Sequence, residues 1–454
     1  MIAPARLAAY EVLRAVNDGR ADLPHALAQA RTGLGDERDR ALAGEIATGT
    51  LRWQIAFDRI IREIAGRPTG RLDPEILDIL RLSIFQLLHL DRVPASAAVN
   101  DAVSLAGRVG KRSAAPLVNA VLRRISRQRG RLPLPQMPGD PTDREAALEY
   151  LSVALSHPRW LAARWLGRHG FEAAERWAQF NNTPAALTLR VNSLRATRDG
   201  VRAALEREGV AAVPTRFAPD GLVVMSGNPL TSPMAQEGLF FVQDEASQLV
   251  ALVAGAKPGD VVLDACASPG GKTIAMAASM GDRGLIAATD VRGARVDLLA
   301  RTVRASGATC VRIMRANAEQ ALPFRPVFTR ALLDAPCSGL GTLRRDPDLK
   351  WRRQEEDLES LADTQLRMLS RAADVLADGG RLVYSTCSSE PEENEHVIQR
   401  FLDLRPGFQR TAPDGLPTDV APLLDESGAL HTLPFRDGLE AFFAAVLVKS
   451  SASR

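Results

Sequence analysis

The sequence predicts an α/β, Rossmann-like domain in its C-terminal half, preceded by a small mixed α/β segment and an all-α domain at the N-terminus. Three observations carry this expectation. Residues 1–131 place Leu, Ile, Val and Ala at i, i+3, i+4 and i+7, the spacing of amphipathic helices. A Pro- and Gly-rich stretch, GRLPLPQMPGDPTD (130–143), then interrupts regular structure. From about residue 238 onward, apolar runs of strand length alternate with helical runs.

Within residues 1–131 the helical runs are RLAAYEVLRAV, RDRALAGEIATGTLRWQIAFDRIIREIAG, PEILDILRLSIFQLLHL and APLVNAVLRRISRQR, with Pro24, Pro68, Pro74 and Pro94 marking starts and breaks. Residues 132–145 read as a linker. Residues 146–237 read as a mixed α/β connecting subdomain. There LSHPRWLAARWLGRHGFEAAERWAQFNN is helical, with Trp160, Trp165 and Trp177 assigned to the core, ALTLRVNSL alternates like a strand, and RDGVRAALEREG and DGLVVMSG follow as helix and strand.

In residues 238–449 the strands are VVLDA (261–265), GLIAATD (284–290), CVRIM (310–314), RALLDA (330–335), RLVYST (381–386) and AFFAAVLVK (441–449). RGARVDLLARTVRAS and LESLADTQLRMLSRAADVLA are helices between them, and residues 450–454 form a tail. The early strands are continuously apolar, as strands covered on both faces are. A doubly wound sheet follows, with ligands at the carboxyl ends of its strands.

The bulk properties exclude several classes. No apolar run approaches the roughly 18–20 residues that cross a bilayer. The start, MIAPARLAAYEVLRAVNDG, carries Glu11 and lacks an apolar core with a cleavage site, so no signal peptide, no membrane partner and a cytoplasmic location are expected. The four cysteines (266, 310, 337, 387) show no CxxC pairing, and the six histidines cluster neither with them nor with each other. Neither a metal nor a disulfide framework is expected. A monomer is expected. The net charge of +3 divides unevenly, with +7 on residues 1–131 and −4 on the remainder. The segment 108–131 holds eight cationic residues and no acid, an electrostatic footprint for a polyanion.

VVLDACASPGGKT sets a Gly-rich turn directly after the first strand of the α/β domain. Gly270 and Gly271 permit close backbone approach, and the following helix N-terminus offers unpaired amides. A Walker A loop would need glycine where Cys266 stands, and G-x-G-x-x-G is absent. Asp290 ends the next strand, where an acid can accept hydrogen bonds from ribose hydroxyls. A nucleoside cofactor without either phosphate loop points to S-adenosylmethionine.

Two of the strands, RALLDAPC and RLVYSTC, each deliver a cysteine at the tip, Cys337 and Cys387. One buried cysteine is ordinarily a small hydrophobe, and Cys266 and Cys310 are assigned that role. Two at neighbouring strand ends, with Asp334 three residues before Cys337, suit covalent catalysis on a pyrimidine. A thiolate adding to C6 turns C5 into an enamine carbon able to accept a methyl group. An acid near the ring nitrogen and exocyclic amine holds the base.

DACASPGGKT, LLDAPCSGLGTLRRDPDLKW and STCSSEPEENE, in this order, resemble the RNA cytosine-C5 methyltransferases of the RsmB/Sun (Fmu) group in the NOL1/NOP2/Sun family. FVQDEASQLVA (241–251) and LRVNSL (189–194) extend the resemblance upstream, and the helical domain resembles the NusB RNA-binding fold. The resemblance implies a methyltransferase dependent on S-adenosylmethionine that acts on small-subunit (16S) ribosomal RNA. It implies Cys387 as nucleophile, Cys337 as the residue that breaks down the covalent adduct, Asp334 as the group that polarises the cytosine, and Lys272 reaching towards cofactor or base. It places the cofactor against Cys266, Ala267, Ser268, Pro269, Gly270, Gly271, Lys272, Asp290, Arg295, Asn317 and Asp334. LRRDPDLKW (343–351) would border the RNA, with Arg344, Arg345 and Lys350 on phosphates.

Two positions depart from the family pattern. MRANAEQ has Asn317 where a Gly-Asp pair is usual, and DGLEAFFAAVLVK has Glu440 and Ala441 where Asp-Gly-Phe-Phe is common. The competing readings are a cytosine-C5 methyltransferase acting on transfer RNA, and a non-catalytic NusB-like RNA-binding protein. The second predicts decay at the chemical positions, yet Asp334, Cys337, Thr386 and Cys387 all stand.

Overall fold

The computed structural model describes residues 2–411 and 416–451, so the tail positions 452–454 lie outside the described residues. The chain forms two compact units, Met1–Pro184 with Leu343–Glu355, and Ala185–Thr342 with Glu356–Arg454. The segment expected as one mixed subdomain, 146–237, is thus shared: residues 146–184 belong to the first unit, and residues 185–237, with the strands and helix Arg198–Arg207, belong to the second.

In the first unit, helices Pro4–Asn17, Leu23–Thr32, Glu37–Arg52, Gln54–Ala65, Pro74–His89, Ala95–Arg108 and Ala115–Arg127 enclose one core that includes Leu13, Ile46, Phe57, Ile79 and Leu122. The long run RDRALAGEIATGTLRWQIAFDRIIREIAG breaks at Trp53, whose φ of −109° and ψ of 18° end one helix and begin the next. Gly49 lies flat against Phe85, where a Cβ would come within 2.0 Å of the ring, so close helix packing requires glycine there. Leu132 and Leu134 pack onto this core, so the stretch read as a linker is attached to it. Trp165 and Trp177 are fully buried and stacked at 4.9 Å, as their core assignment requires.

The segment LRRDPDLKW (343–351) was expected to present cations to RNA, and the packing reverses that for Lys350. Its side chain is buried, with Nζ donating to the carbonyls of Ser156 (3.1 Å) and Arg52 (3.3 Å) and to Asn182 Oδ1 (3.1 Å). Burial and the nearby Arg52 charge pull its pKa well below the usual lysine value. Trp351 Nε1 donates to the Leu51 carbonyl, and Asp348 Oδ2 accepts from the Leu23 amide. Arg344 lies over the Phe180 ring and bonds the carbonyls of Thr183 and Pro184. The segment caps the end of helix Glu37–Arg52, whose last carbonyls have no partner within the helix.

The second unit holds two sheets. In the smaller, β1 (Thr188–Val191), β2 (Ala211–Pro214), β3 (Gly221–Ser226) and β4 (Phe240–Val242) run antiparallel in the order β2-β3-β1-β4, with Val201 and Leu205 of helix Arg198–Arg207 against Leu189 and Leu222. The larger comprises β5 (Val261–Ala265), β6 (Leu285–Asp290), β7 (Val311–Arg315), β8 (Phe328–Asp334), β9 (Leu376–Thr386), β10 (Phe408–Arg410), β11 (Leu430–Thr432) and β12 (Phe442–Lys449). Its order is β10-β12-β9-β8-β5-β6-β7, with β11 also on β12. Strands β5 to β9 pair in parallel, whereas β12 returns antiparallel to β9. Strand side chains alternate between faces. Val262, Ile286, Leu332 and Val383 meet helices Glu245–Ala254 and Gly271–Ser279 on one side, while Leu263, Leu333, Leu382 and Tyr384 meet Asp357–Asp374 and Glu395–Leu404 on the other.

Candidate active site

Because β5 continues to β6 and β7 in one direction and β8 to β9 in the other, the crossovers part between β5 and β8. Such a switch point opens a crevice beyond the strand ends. The cleft there is lined by Cys266, Ser268, Asp290, Arg295, Asn317, Asp334, Cys337 and Cys387. An adjoining hollow takes in Asp264, Ala267, Pro269, Gly271 and Lys272 together with Gln243. Of the residues expected at the site, Gly270 lies behind the wall. It caps helix Gly271–Ser279 with φ of 104°, and a Cβ would press to 2.9 Å from Leu299.

Asp290 is buried at the end of β6, and its carboxylate accepts from Arg295 Nε (3.0 Å) and the Arg292 amide (3.3 Å). Arg295 also donates to the Ser268 carbonyl (2.7 Å), fastening the Gly-rich loop. Asn317 Oδ1 accepts from the Glu319 amide (3.0 Å) within a local turn while the residue lines the cleft.

Lys272 Nζ lies 2.7 Å from Asp334 Oδ2 and 5.7 Å from the centre of the Phe442 ring. Ser385 Oγ donates to the other Asp334 oxygen (2.9 Å). Burial disfavours the Lys272 ammonium, but the charge and hydrogen bond of Asp334 outweigh it and hold the pKa above the usual lysine value. Asp264 was not anticipated. Its Oδ2 accepts from Thr273 Oγ1 (2.6 Å), and its Oδ1 is buried without a hydrogen-bond partner among the described residues. Burial, opposed by the Thr273 bond and reinforced by the Asp334 charge, pushes its pKa up to about 7.

A carboxyl raised in this way contributes stability that is complete below its unfolded pKa of 3.8 and is lost as pH rises through about 7. Asp264→Asn, which cannot charge, is expected to flatten the fall in melting temperature between about pH 4 and pH 7. Equal slopes for both proteins in thermal unfolding would refute this.

Strands β8 and β9 are neighbours in register, with Asp334 opposite Ser385, so the turns that follow them meet. Cys337 Sγ and Cys387 Sγ are 3.2 Å apart. The hydrogen bond to Cys387, then burial, then the charges of Cys387 and Glu393, raise the Cys337 thiol well above its usual range. Gly341 draws the two turns together: its amide donates to the Cys387 carbonyl (2.9 Å) and its carbonyl accepts from the Ala441 amide (3.0 Å). A Cβ at Gly341 would meet the Ala441 oxygen at 1.9 Å. Ala441, the position that departs from the family pattern, therefore supports the Cys387 turn. Burial, with Asp290 and Asp334, pushes the Cys266 thiol up to about 12, so it stays an uncharged wall residue.

Sequence reasoning passed over Asp264, Gln243, Ser385 and the Glu393 network, all of which lie inside segments it had singled out. Outside the cleft, Glu395, Asp425 and His431 bring ligand atoms within 4.8 Å of one another.

Three family profiles match the chain: the 16S rRNA methyltransferase RsmB/F family over residues 251–448, the NusB family over 3–127, and an RsmF/B-like ferredoxin-like domain over 157–231. A probable ribosomal RNA small subunit methyltransferase B from Bacillus subtilis is 34% identical over 420 residues, covering 91% of each chain. The ribosomal RNA small subunit methyltransferase B of Pseudomonas putida is 35% identical over 455 residues, covering 99% of each. Among solved structures, PH0851 superposes with a TM-score of 0.80 at 28% identity over 99% of both chains. A methyltransferase homolog protein from Pyrococcus horikoshii reaches 0.56 at 27% identity, over 67% of this chain and 99% of that one. With near full-length relatives above 30% identity and a paired-cysteine cleft at the strand ends, the chain belongs to the RsmB/F family of ribosomal RNA methyltransferases.

Proposed function

We propose that the protein methylates C5 of a cytosine in small-subunit ribosomal RNA through a transient bond between Cys387 Sγ and C6 of the base. The observation that carries this reading is the pair of sulfurs 3.2 Å apart at the mouth of a cleft shared with Asp334 and the Gly-rich loop.

The residues of the cleft fit S-adenosylmethionine. Asp290, at the end of β6, is placed for ribose hydroxyls, the loop 266–272 for the amino-acid part, and Asn317 for the adenine edge. When bound, the cofactor supplies an electrophilic methyl group. Cys387 adds to C6, which moves electron density to C5, while Asp334, steadied by Lys272 and Ser385, accepts from the exocyclic amine of the base. After C5 is methylated its proton passes to solvent acting as the base, the C5–C6 double bond re-forms, and the Cys387 thiolate is expelled. The thiol of Cys337, its Sγ 3.2 Å from Cys387 Sγ, is within reach to offer that thiolate its proton.

A paired base must be extruded to reach such a cleft, at a cost of a few kcal/mol. Phosphate contacts from the helical unit can offset this. Arg123, Arg124 and Arg127 are exposed along helix Ala115–Arg127. Replacing Arg124 and Arg127 with Gln is expected to weaken RNA binding and to reduce the slope of log affinity against log salt by about 0.7–0.9 per charge. An unchanged slope in filter-binding titrations would remove this surface from the interface.

The proposal is tested by incubating the protein with tritium-methyl S-adenosylmethionine and 16S RNA, then digesting to nucleosides. Label in 5-methylcytidine is expected. Label in another nucleoside, or none in RNA while the cofactor binds, would overturn it.

A further inference from the structure

The two cysteine turns are joined by a buried carboxylate to which no role has been given. Glu393, in the turn Pro391–Glu393, is fully buried and accepts four hydrogen bonds. Its Oε1 takes the Ser338 amide (2.8 Å) and Gln365 Nε2 (2.9 Å), and its Oε2 takes Ser338 Oγ and Ser388 Oγ, both at 2.5 Å. The two serines also meet each other, oxygen to oxygen, at 3.1 Å. Ser338 directly follows Cys337, and Ser388 directly follows Cys387. One side chain thus grips the residue next to each sulfur.

We infer that Glu393 is the positioning residue that sets the spacing and orientation of the Cys337 and Cys387 sulfurs, and so the handover from attack to release. Its role in release rests on the methyl-transfer reading above, whereas the geometric role does not.

Burying a carboxylate costs several kcal/mol unless hydrogen bonds replace its water. A neutral residue would fill the same space at less cost if packing were the sole requirement. Four donors on two oxygens leave little freedom for either turn, and adjacent Cα atoms are about 3.8 Å apart, so a displaced serine carries its cysteine with it. The carboxylate is itself braced. Tyr384 Oη donates to the Glu393 carbonyl (2.5 Å) and lies 3.0 Å from Gln365 Oε1, and Gln365 Nε2 also reaches the Pro336 carbonyl (3.0 Å). Pro336 precedes Cys337, so that turn is held on both sides of its sulfur. Asn394 completes the other side, donating to the Ser388 carbonyl (3.0 Å) and accepting from Thr386 Oγ1 (2.5 Å), which brackets Cys387.

Glu393→Gln preserves volume but offers one acceptor oxygen and turns an NH₂ group towards hydroxyls and amides that also donate. Ser388→Ala removes one grip and leaves the carboxylate otherwise bonded. Two readouts separate geometry from chemistry. The first is disulfide trapping with diamide, a diazene oxidant. The two thiols give up two electrons and two protons to its N=N bond, an S–S bond forms, and the diazene becomes a hydrazine; peptide mapping counts the 337–387 cross-link. The second is single-turnover methyl transfer with the protein–RNA adduct quantified.

Glu393→Gln is expected to slow cross-linking at least about tenfold and to lower the methyl-transfer rate about 10²-fold, as a misplacement of about 1 Å does. The KM for S-adenosylmethionine should stay within about twofold, and adduct should persist because release is misaligned. Ser388→Ala should move the same readouts in the same direction by less. A folded Glu393→Gln protein that cross-links and turns over like the wild type would overturn the inference. So would a loss of rate that merely follows a loss of folded protein, with cross-linking unchanged in the folded fraction. If Glu393→Gln fails to fold, Ser388→Ala decides by the same criteria. If the wild type methylates no RNA, cross-linking still decides the geometric role.

Discussion

Cys387→Ala is expected to abolish methyl transfer, and Cys337→Ala to accumulate a covalent protein–RNA adduct. The two substitutions remove chemically similar atoms 3.2 Å apart, yet they should fail at different stages. Without Cys387 no bond to C6 can form, C5 stays part of an aromatic ring, and the rate should fall by about 10⁴-fold or more. Without Cys337 the attack still occurs, but the departing thiolate lacks its neighbouring proton source. The measurement is a denaturing gel of protein with labelled cofactor and RNA. The Cys337→Ala lane should carry a slow-migrating species that nuclease removes, and the Cys387→Ala and doubly substituted lanes should not. An adduct in Cys387→Ala, or unimpaired turnover by that variant, would refute the assignment.

Lys350→Met is expected to destabilise the helical unit by about 3 kcal/mol, the cost of leaving buried acceptors unpaired. Methionine nearly matches lysine in volume, so packing changes little. Removing the amino group relieves one desolvated group, but it takes a donor from the Arg52 and Ser156 carbonyls and from Asn182 Oδ1. The loss of three buried hydrogen bonds outweighs that relief, so the net effect is destabilising. Urea unfolding followed by far-UV circular dichroism measures the shift. A change below about 0.5 kcal/mol, ordinary for a surface substitution, would show that Lys350 is not the cap inferred from its contacts.

The site was legible to the extent that its chemistry is carried by short contiguous motifs. The loop 266–272, Asp290, Asp334, Cys337 and Cys387 each announce themselves by type and place in a strand–turn pattern, and each lines the cleft or its adjoining hollow apart from Gly270 behind it. Asp264 did not, because an acid within an apolar strand reads as part of that strand until its unpaired oxygen is seen in the hollow. Glu393 sits among acids in SSEPEENE, and local pattern does not separate the one turned inward onto both serines from the others. Lys350 failed for the same reason. In LRRDPDLKW it is one cation among several, and burial alone distinguishes it.

Element type and the chemistry of the two motifs are properties of neighbouring residues, which is why helix and strand periodicity, the glycine turn and the paired cysteines could be read directly. Which distant groups share an environment depends on how the chain returns upon itself, and no local spacing encodes that. The antiparallel return of β12 beside β9, the transfer of residues 343–355 to the helical unit, and the single carboxylate between two serines fifty positions apart all arise from long-range packing. A buried charge persists where the surrounding fold supplies its partners, so tertiary contacts alone separated a phosphate-binding lysine from a helix cap and a surface acid from a clamp on the two sulfurs.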